Sequence, residues 1–137
     1  MNKTDLRIAL RNRLLTVCDQ VSETFIHPLA ASELNRNFPY IVLVYQTLLF
    51  DNGTQRGKQS LSIIGFVNDG DDNNLMELRD ELEQKIFAAL YRKDLPKVTV
   101  ISIDNSNLFK PFGLDAGIYP PYAGMRFEIE IPEIQLL

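Results

Sequence analysis

The stretch Tyr40-Ile-Val-Leu-Val-Tyr-Gln-Thr-Leu-Leu-Phe50 constrains the fold more than any other part of this chain. Its β-branched and aromatic residues favour a strand, and side chains on a strand point alternately to opposite faces. Here both faces are apolar: Ile41, Leu43, Tyr45 and Leu49 point one way, Val42, Val44, Leu48 and Phe50 the other. Pro39 opens the run and Asp51-Asn52-Gly53 closes it with turn residues. A second run, about Gln59 to Val67, follows the polar stretch Thr54 to Lys58, which predicts an antiparallel hairpin with a long tip. Ile63 and Ile64 repeat the two-sided pattern.

Around this hairpin, helical and strand signals alternate. Thr4 suits a helix N-cap and Asp5 a first turn, after which Leu6, Leu10, Leu14, Val17, Cys18 and Val21 recur at helical spacing. This predicts an amphipathic helix of roughly four turns. From Glu23 to Phe38 the rhythm weakens, with Pro28, Asn35 and Asn37 as breakers, and the stretch reads as a connector. Asn68-Asp69-Gly70-Asp71-Asp72 supplies turn and N-cap residues for a second helix on Leu75, Leu78, Leu82, Ile86, Ala89 and Leu90, stopped by Leu95-Pro96.

Val98 to Ile103 predicts a third strand, and Asp104 to Tyr122, with three prolines and two glycines, a long loop. Met125 to Ile131 alternates strictly, giving a last strand with one core face and one charged face toward water or a polar partner. The order is then α-β-β-α-β-β. The expected fold is α+β: an antiparallel (mixed) four-stranded sheet with two helices packed on one face. With 137 residues, 45% of them hydrophobic and 23% charged, the chain is expected to form one domain, residues 1–137, with a core of its own.

Two helices about 10 Å wide cover one face of a four-stranded sheet whose strands lie about 4.8 Å apart. The hairpin therefore carries a surplus apolar face, and a large apolar patch on a monomer commonly marks a protein interface. Self-association through this face, with Val44 and Ile64 in the contact, is one expectation. The other is that the Asp104 to Tyr122 loop, with Leu108, Phe109, Phe112 and Tyr119, folds back over it. The apolar tail Ile131 to Leu137 is expected to be available as an added edge for a neighbour.

The charge is −4, which offers phosphate backbones and anionic lipid no bulk attraction, so neither nucleic acid nor membrane is expected as primary partner. Arg7, Arg11 and Arg13 interrupt the first segment where a signal peptide would be apolar, and no run of about 18 apolar residues follows. Cytoplasmic synthesis is the expectation, in keeping with the single Cys18.

One cysteine and one histidine, His27, do not make a thiolate or histidine-rich zinc site or a catalytic triad; His27 reads as surface and Cys18 as core. Asp69, Asp71 and Asn73 begin like a calcium loop, but Asn74 stands at the glycine position and Asp80 at the glutamate position, so a helix cap fits better. Gly113-Leu-Asp-Ala-Gly117 lacks the third glycine and the strand-to-helix setting of a dinucleotide fingerprint. The mixed charges from Glu77 to Lys85 read as a solvated helix face. No catalytic, cofactor or metal residue is assigned, and no enzymatic activity is expected.

The size, the α-β-β-α-β-β order, the opening Asp5-Leu-Arg-Ile-Ala-Leu-Arg-Asn-Arg-Leu helix, the two-stranded segment with its tip and the long loop before Arg126-Phe-Glu-Ile-Glu130 together resemble the tail terminator, or tail completion, proteins of long-tailed bacteriophages. The resemblance covers nearly the full chain as a pattern of organisation. It implies a phage or prophage protein forming a ring, typically of about six subunits, that caps the tail tube, stops its polymerisation and presents the head-joining surface. Implied partners are further copies of the chain, the tube protein and the head-completion proteins, and the implied location is the cytoplasm during synthesis and the virion tail afterwards. Contacts are then expected at the tip, with Thr54, Arg56 and Lys58, on the loop, with Phe109, Phe112 and Tyr119, and at Arg7 and Arg11. Two other readings stay open: a small regulatory or ligand-binding α+β module that dimerises through its sheet, and an enzyme using Asp69, Asp71 and Asp72 with a substrate-supplied metal.

Overall fold

The computed structural model describes residues 1–24, 39–53, 55–69, 71–93, 96–105 and 122–135. They form α1 (Lys3–Leu15), β1 (Val21–Thr24), β2 (Tyr40–Asp51), β3 (Arg56–Asn68), α2 (Asp72–Leu90), β4 (Thr99–Asp104) and β5 (Tyr122–Gln135). The fold is α+β with two helices and a mixed five-stranded sheet in the order β1-β2-β3-β5-β4. Among these five strands only the β1–β2 pair is parallel. The expected four strands thus become five, the added one being β1 in the segment expected to be helix and connector.

α1 ends earlier than the apolar spacing predicts, and a local competition explains it. The Thr16 hydroxyl donates to the carbonyl of Arg13, and the amides of Val17 and Cys18 both turn back to the carbonyl of Leu14. A short polar side chain that bonds the backbone this way draws the chain out of the helix. Val21 then enters β1 opposite Ile41 and is buried there as a strand residue. At the other end the cap is Asn2 rather than Thr4: the Asn2 Oδ1 accepts from the amide of Asp5 at 2.8 Å. α2 starts as expected, with the Asp71 carboxylate accepting from the amides of Asn73 (2.9 Å) and Asn74 (3.2 Å), which satisfies two of the unpaired donors of a first turn.

The hairpin is longer and its tip tighter than the sequence predicts. Arg56, Gly57 and Lys58 already belong to β3, and the Asp51 carboxylate accepts from the amide of Gly53 at 2.9 Å while its carbonyl accepts from Gln55 at 2.9 Å. The turn therefore closes on Asp51, leaving Gln55 at a φ of 55°. β5 runs beside β3 along its whole length, from Tyr122 opposite Asn68 to Gln135 opposite Arg56. Pro132 is accommodated because the register slips between Gly57 and Gln59, where Glu133 adopts a φ of 61°. A proline cannot donate to a ladder, and a bulge is where a strand tolerates one.

Both helices pack on one sheet face. Leu6, Leu10 and Leu14 of α1 and Leu75, Leu82, Ile86 and Leu90 of α2 share a single buried cluster with Ile41, Leu43, Leu61, Ile63, Met125, Phe127 and Ile129. Gly65 permits the close approach of α2, because a Cβ there would lie 2.8 Å from the Met125 sulfur, 3.0 Å from Leu82 and 3.1 Å from Ile86. Ile131 and Ile134 join the same cluster, so the tail through Gln135 completes this chain's own sheet instead of standing ready for a neighbour. Tyr40, Val42, Val44, Ile64 and Phe66 occupy the alternate positions and form a second buried cluster on the opposite face.

Candidate interaction surfaces

Three regions gather the residues singled out above: the α1–β1 contact, the face away from the helices, and the far end of the hairpin. In the first, the Arg7 guanidinium donates through Nε (3.0 Å) and Nη2 (2.9 Å) to Glu23 Oε2, tying α1 to β1. The Glu23 carboxylate, by hydrogen bond and by charge, raises the already high pKa of Arg7, which stays cationic at every accessible pH. Arg11, one turn on, is exposed. Beside this pair a recess of about 370 Å³ is lined by Lys3, Thr4, Arg7, Tyr45, Gln46 and Gln59 among others. Burial pushes the Tyr45 phenol well above its ordinary pKa, with the Glu23 charge adding to the effect, so it stays protonated at neutral pH and is a hydrogen-bonding group there.

Across the second region the chemistry changes from strand to strand. The side formed by the first half of β2 and the second half of β3 is apolar, with Tyr40 and Phe66 stacked at 5.0 Å between ring centroids. Val44 and Ile64, expected as subunit contacts, are 7% and 1% exposed within the single chain. Toward β5 the face turns polar. Ser62, itself buried, lies 2.9 Å from both oxygens of Glu128, donating its hydrogen to the carboxylate while accepting from Gln46 Nε2 at 2.8 Å. Arg126 Nε sits 2.8 Å from Glu128, and Lys58 pairs with Glu130 at 3.5 Å. The alternation expected of the last strand holds here: Phe127, Ile129 and Ile131 are buried under the helices, and Arg126, Glu128 and Glu130 lie half-buried on the other face.

At the third region the hairpin extends past the described pairing with β1. β1 pairs with β2 only from Ile41 to Val44, and among the described residues no strand pairs with that edge of β2 beyond Val44. The register with β3 shifts between Tyr45 and Leu48, and past that bulge Leu49 and Phe50 are 60% and 54% exposed. Arg56 and Lys58 are exposed on the partner strand. At the opposite sheet edge no strand among the described residues pairs with the outer side of β4, where Ile101, at a register shift against β5, is 57% exposed and Ile103 36%. The sequence flags Leu49 and Phe50 as apolar but carries no sign that they are exposed, which is visible only in the fold.

Thr54, Phe109, Phe112, Tyr119 and His27 lie outside the described residues. Cys18 is buried, with its sulfur 3.4 Å from the carbonyl of Gln20, and burial raises its thiol pKa, which keeps it in the less reactive protonated form. Asp69 and Asp71 are engaged by backbone amides of the α2 cap. Among the described residues no group of three or more His, Cys, Asp or Glu gathers as a metal-ion site, and no helix is long and apolar enough to cross a membrane. A scan against protein-family models finds none that matches the chain, and a search of curated proteins finds no match either.

Proposed function

We propose that this chain is a non-enzymatic assembly subunit, a tail-terminator-like protein of a phage or prophage whose copies form a closed ring on the end of a tail tube. The observation that carries the reading is the far half of the hairpin: a strand segment whose outer edge is unpaired among the described residues, with two large apolar side chains, Leu49 and Phe50, more than half exposed. An open, apolar strand edge is a surface that soluble proteins normally suppress, and its retention suits a chain that meets another chain there. The overall pattern resemblance supplies the biological setting.

In this reading the work is done by surface complementarity. Heterologous contacts between identical subunits close a ring, one ring face fits the last layer of tube subunits, and the other does not, so the tube stops growing and the head joins the remaining face. Val44 and Ile64 serve the interior of each subunit, and the contacts move outward to the hairpin end with Arg56 and Lys58. The subunit is made in the cytoplasm and ends in the virion tail. The test is a tube-growth assay: added to polymerising tube protein from the same phage, the purified chain is expected to cap tubes at fixed length with a ring visible at one end. Unchanged tube lengths and bare ends at saturating chain would overturn the assignment.

A further inference from the structure

We infer that the ring closes by strand addition, β4 of one copy pairing antiparallel with the 46–51 segment of β2 in the next, so that the sheets join edge to edge. The inference rests on the ring reading and specifies its interface. Four observations lead to it.

The first is length. Among the described residues β1 pairs with the β2 edge over Ile41–Val44 and none pairs with it over 46–51, a stretch that matches β4, which has six residues. The second is direction. β2 and β5 both run antiparallel to β3, and β4 runs antiparallel to β5, so a copy placed head-to-tail in the same orientation presents its β2 antiparallel to β4 without any reversal. Such head-to-tail contacts are the kind that close into rings.

The third is register. Setting Gln46 opposite Asp104 brings Leu49 opposite Ile101 and Phe50 opposite Val100, which pairs the most exposed apolar residue of each strand with the other. Directly opposed apolar pairs are the stabilising unit of a sheet. The same register puts Asp51 opposite Thr99, whereas a parallel arrangement would bring Asp51 and Asp104 together.

The fourth is what the two edges lack. Natural sheets protect free edges with lysine, proline or inward charge, and neither Gln46-Thr-Leu-Leu-Phe-Asp51 nor Thr99-Val-Ile-Ser-Ile-Asp104 contains a lysine, arginine or proline.

Two full-length variants test this, Leu49→Lys and Ile101→Lys, each checked for native far-UV circular dichroism and sized by native mass spectrometry. Each alone is expected to be a monomer. Mixed in equal amounts they are expected to form a dimer and nothing larger, because only the intact β4 of one and the intact β2 of the other remain. As a second readout, the double variant Leu49→Cys with Ile101→Cys is expected to give, on oxidation, a covalent ladder up to the ring. Within one chain the two positions are three strand spacings apart, at least about 14 Å, which no disulfide spans. Rings that persist in both lysine variants, with no ladder, would overturn the strand pairing while leaving the ring standing. A wild-type chain that is itself monomeric would overturn both.

Discussion

The two halves of the hairpin are made of similar residues and end in opposite surroundings. From Tyr40 to Tyr45 every position of β2 is buried, held between β1 and β3 with one face against the helices. From Gln46 to Asp51 all but Leu48 are exposed, although Leu48, Leu49 and Phe50 are as apolar as anything before them. The two halves differ in their described neighbours: β1 pairs with β2 from Ile41 to Val44, and among the described residues none pairs with that edge beyond Val44. Hydrophobic character marks which residues gain from cover, and the topology decides which receive it within the chain. The near half builds the core of this chain, and the far half is the part that we propose meets another copy.

The sharpest way to break this contrast is to place a charge in each half. Ile64→Asp, in the covered half, is expected to cost about 4 kcal/mol or more in denaturant unfolding, since a carboxylate is buried without a partner. Phe50→Asp, in the open half, is expected to change stability by no more than about 0.5 kcal/mol in conditions where the chain is monomeric. Equal losses at the two sites would erase the distinction.

A second substitution probes why the near half is so well covered. Gly65→Val forces bulk between β3 and α2 where Met125, Leu82 and Ile86 already sit within contact, and is expected to cost about 2–3 kcal/mol, read from the same unfolding curve. The smallest effect belongs at the boundary, Tyr45. Its pKa is raised in the folded chain by burial, so stability is full below about pH 10, the ordinary tyrosine value. It falls as pH rises above that, because the unfolded chain ionises there and the folded chain does not. Tyr45→Phe is therefore expected to flatten the alkaline decline of the unfolding free energy, read as its slope above about pH 10. A decline as steep as in the wild type would mean that Tyr45 is not held away from water.

Much of the fold is legible in the sequence because the period of apolar residues is a direct record of burial. Leu6, Leu10 and Leu14 mark α1, Phe127, Ile129 and Ile131 mark β5, and the two-sided run from Tyr40 marks a strand with cover on both faces. The errors arise where two physical signals overlap. Val17, Cys18 and Val21 fit a helical period but are β-branched or small, and the Thr16 hydroxyl and the strand partner Ile41 win over the helix. Pro132 hides the continuation of β5, since a bulge with its positive φ at Glu133 is not written in any local pattern.

The candidate surface is less legible still. Val44 and Ile64 carry the apolar surplus that points to an interface, yet that surplus is buried inside the chain. The exposure of Leu49, Phe50 and Ile101 depends on which strands pair beside them, a property of pairing between distant segments.

The central claim is that the open half of the hairpin is satisfied by other copies of the chain. Light scattering over a concentration series measures this directly. The account predicts one species of about six times the 15.7 kDa chain mass that persists on dilution, and a single species at the chain mass up to the highest concentration reached would contradict it.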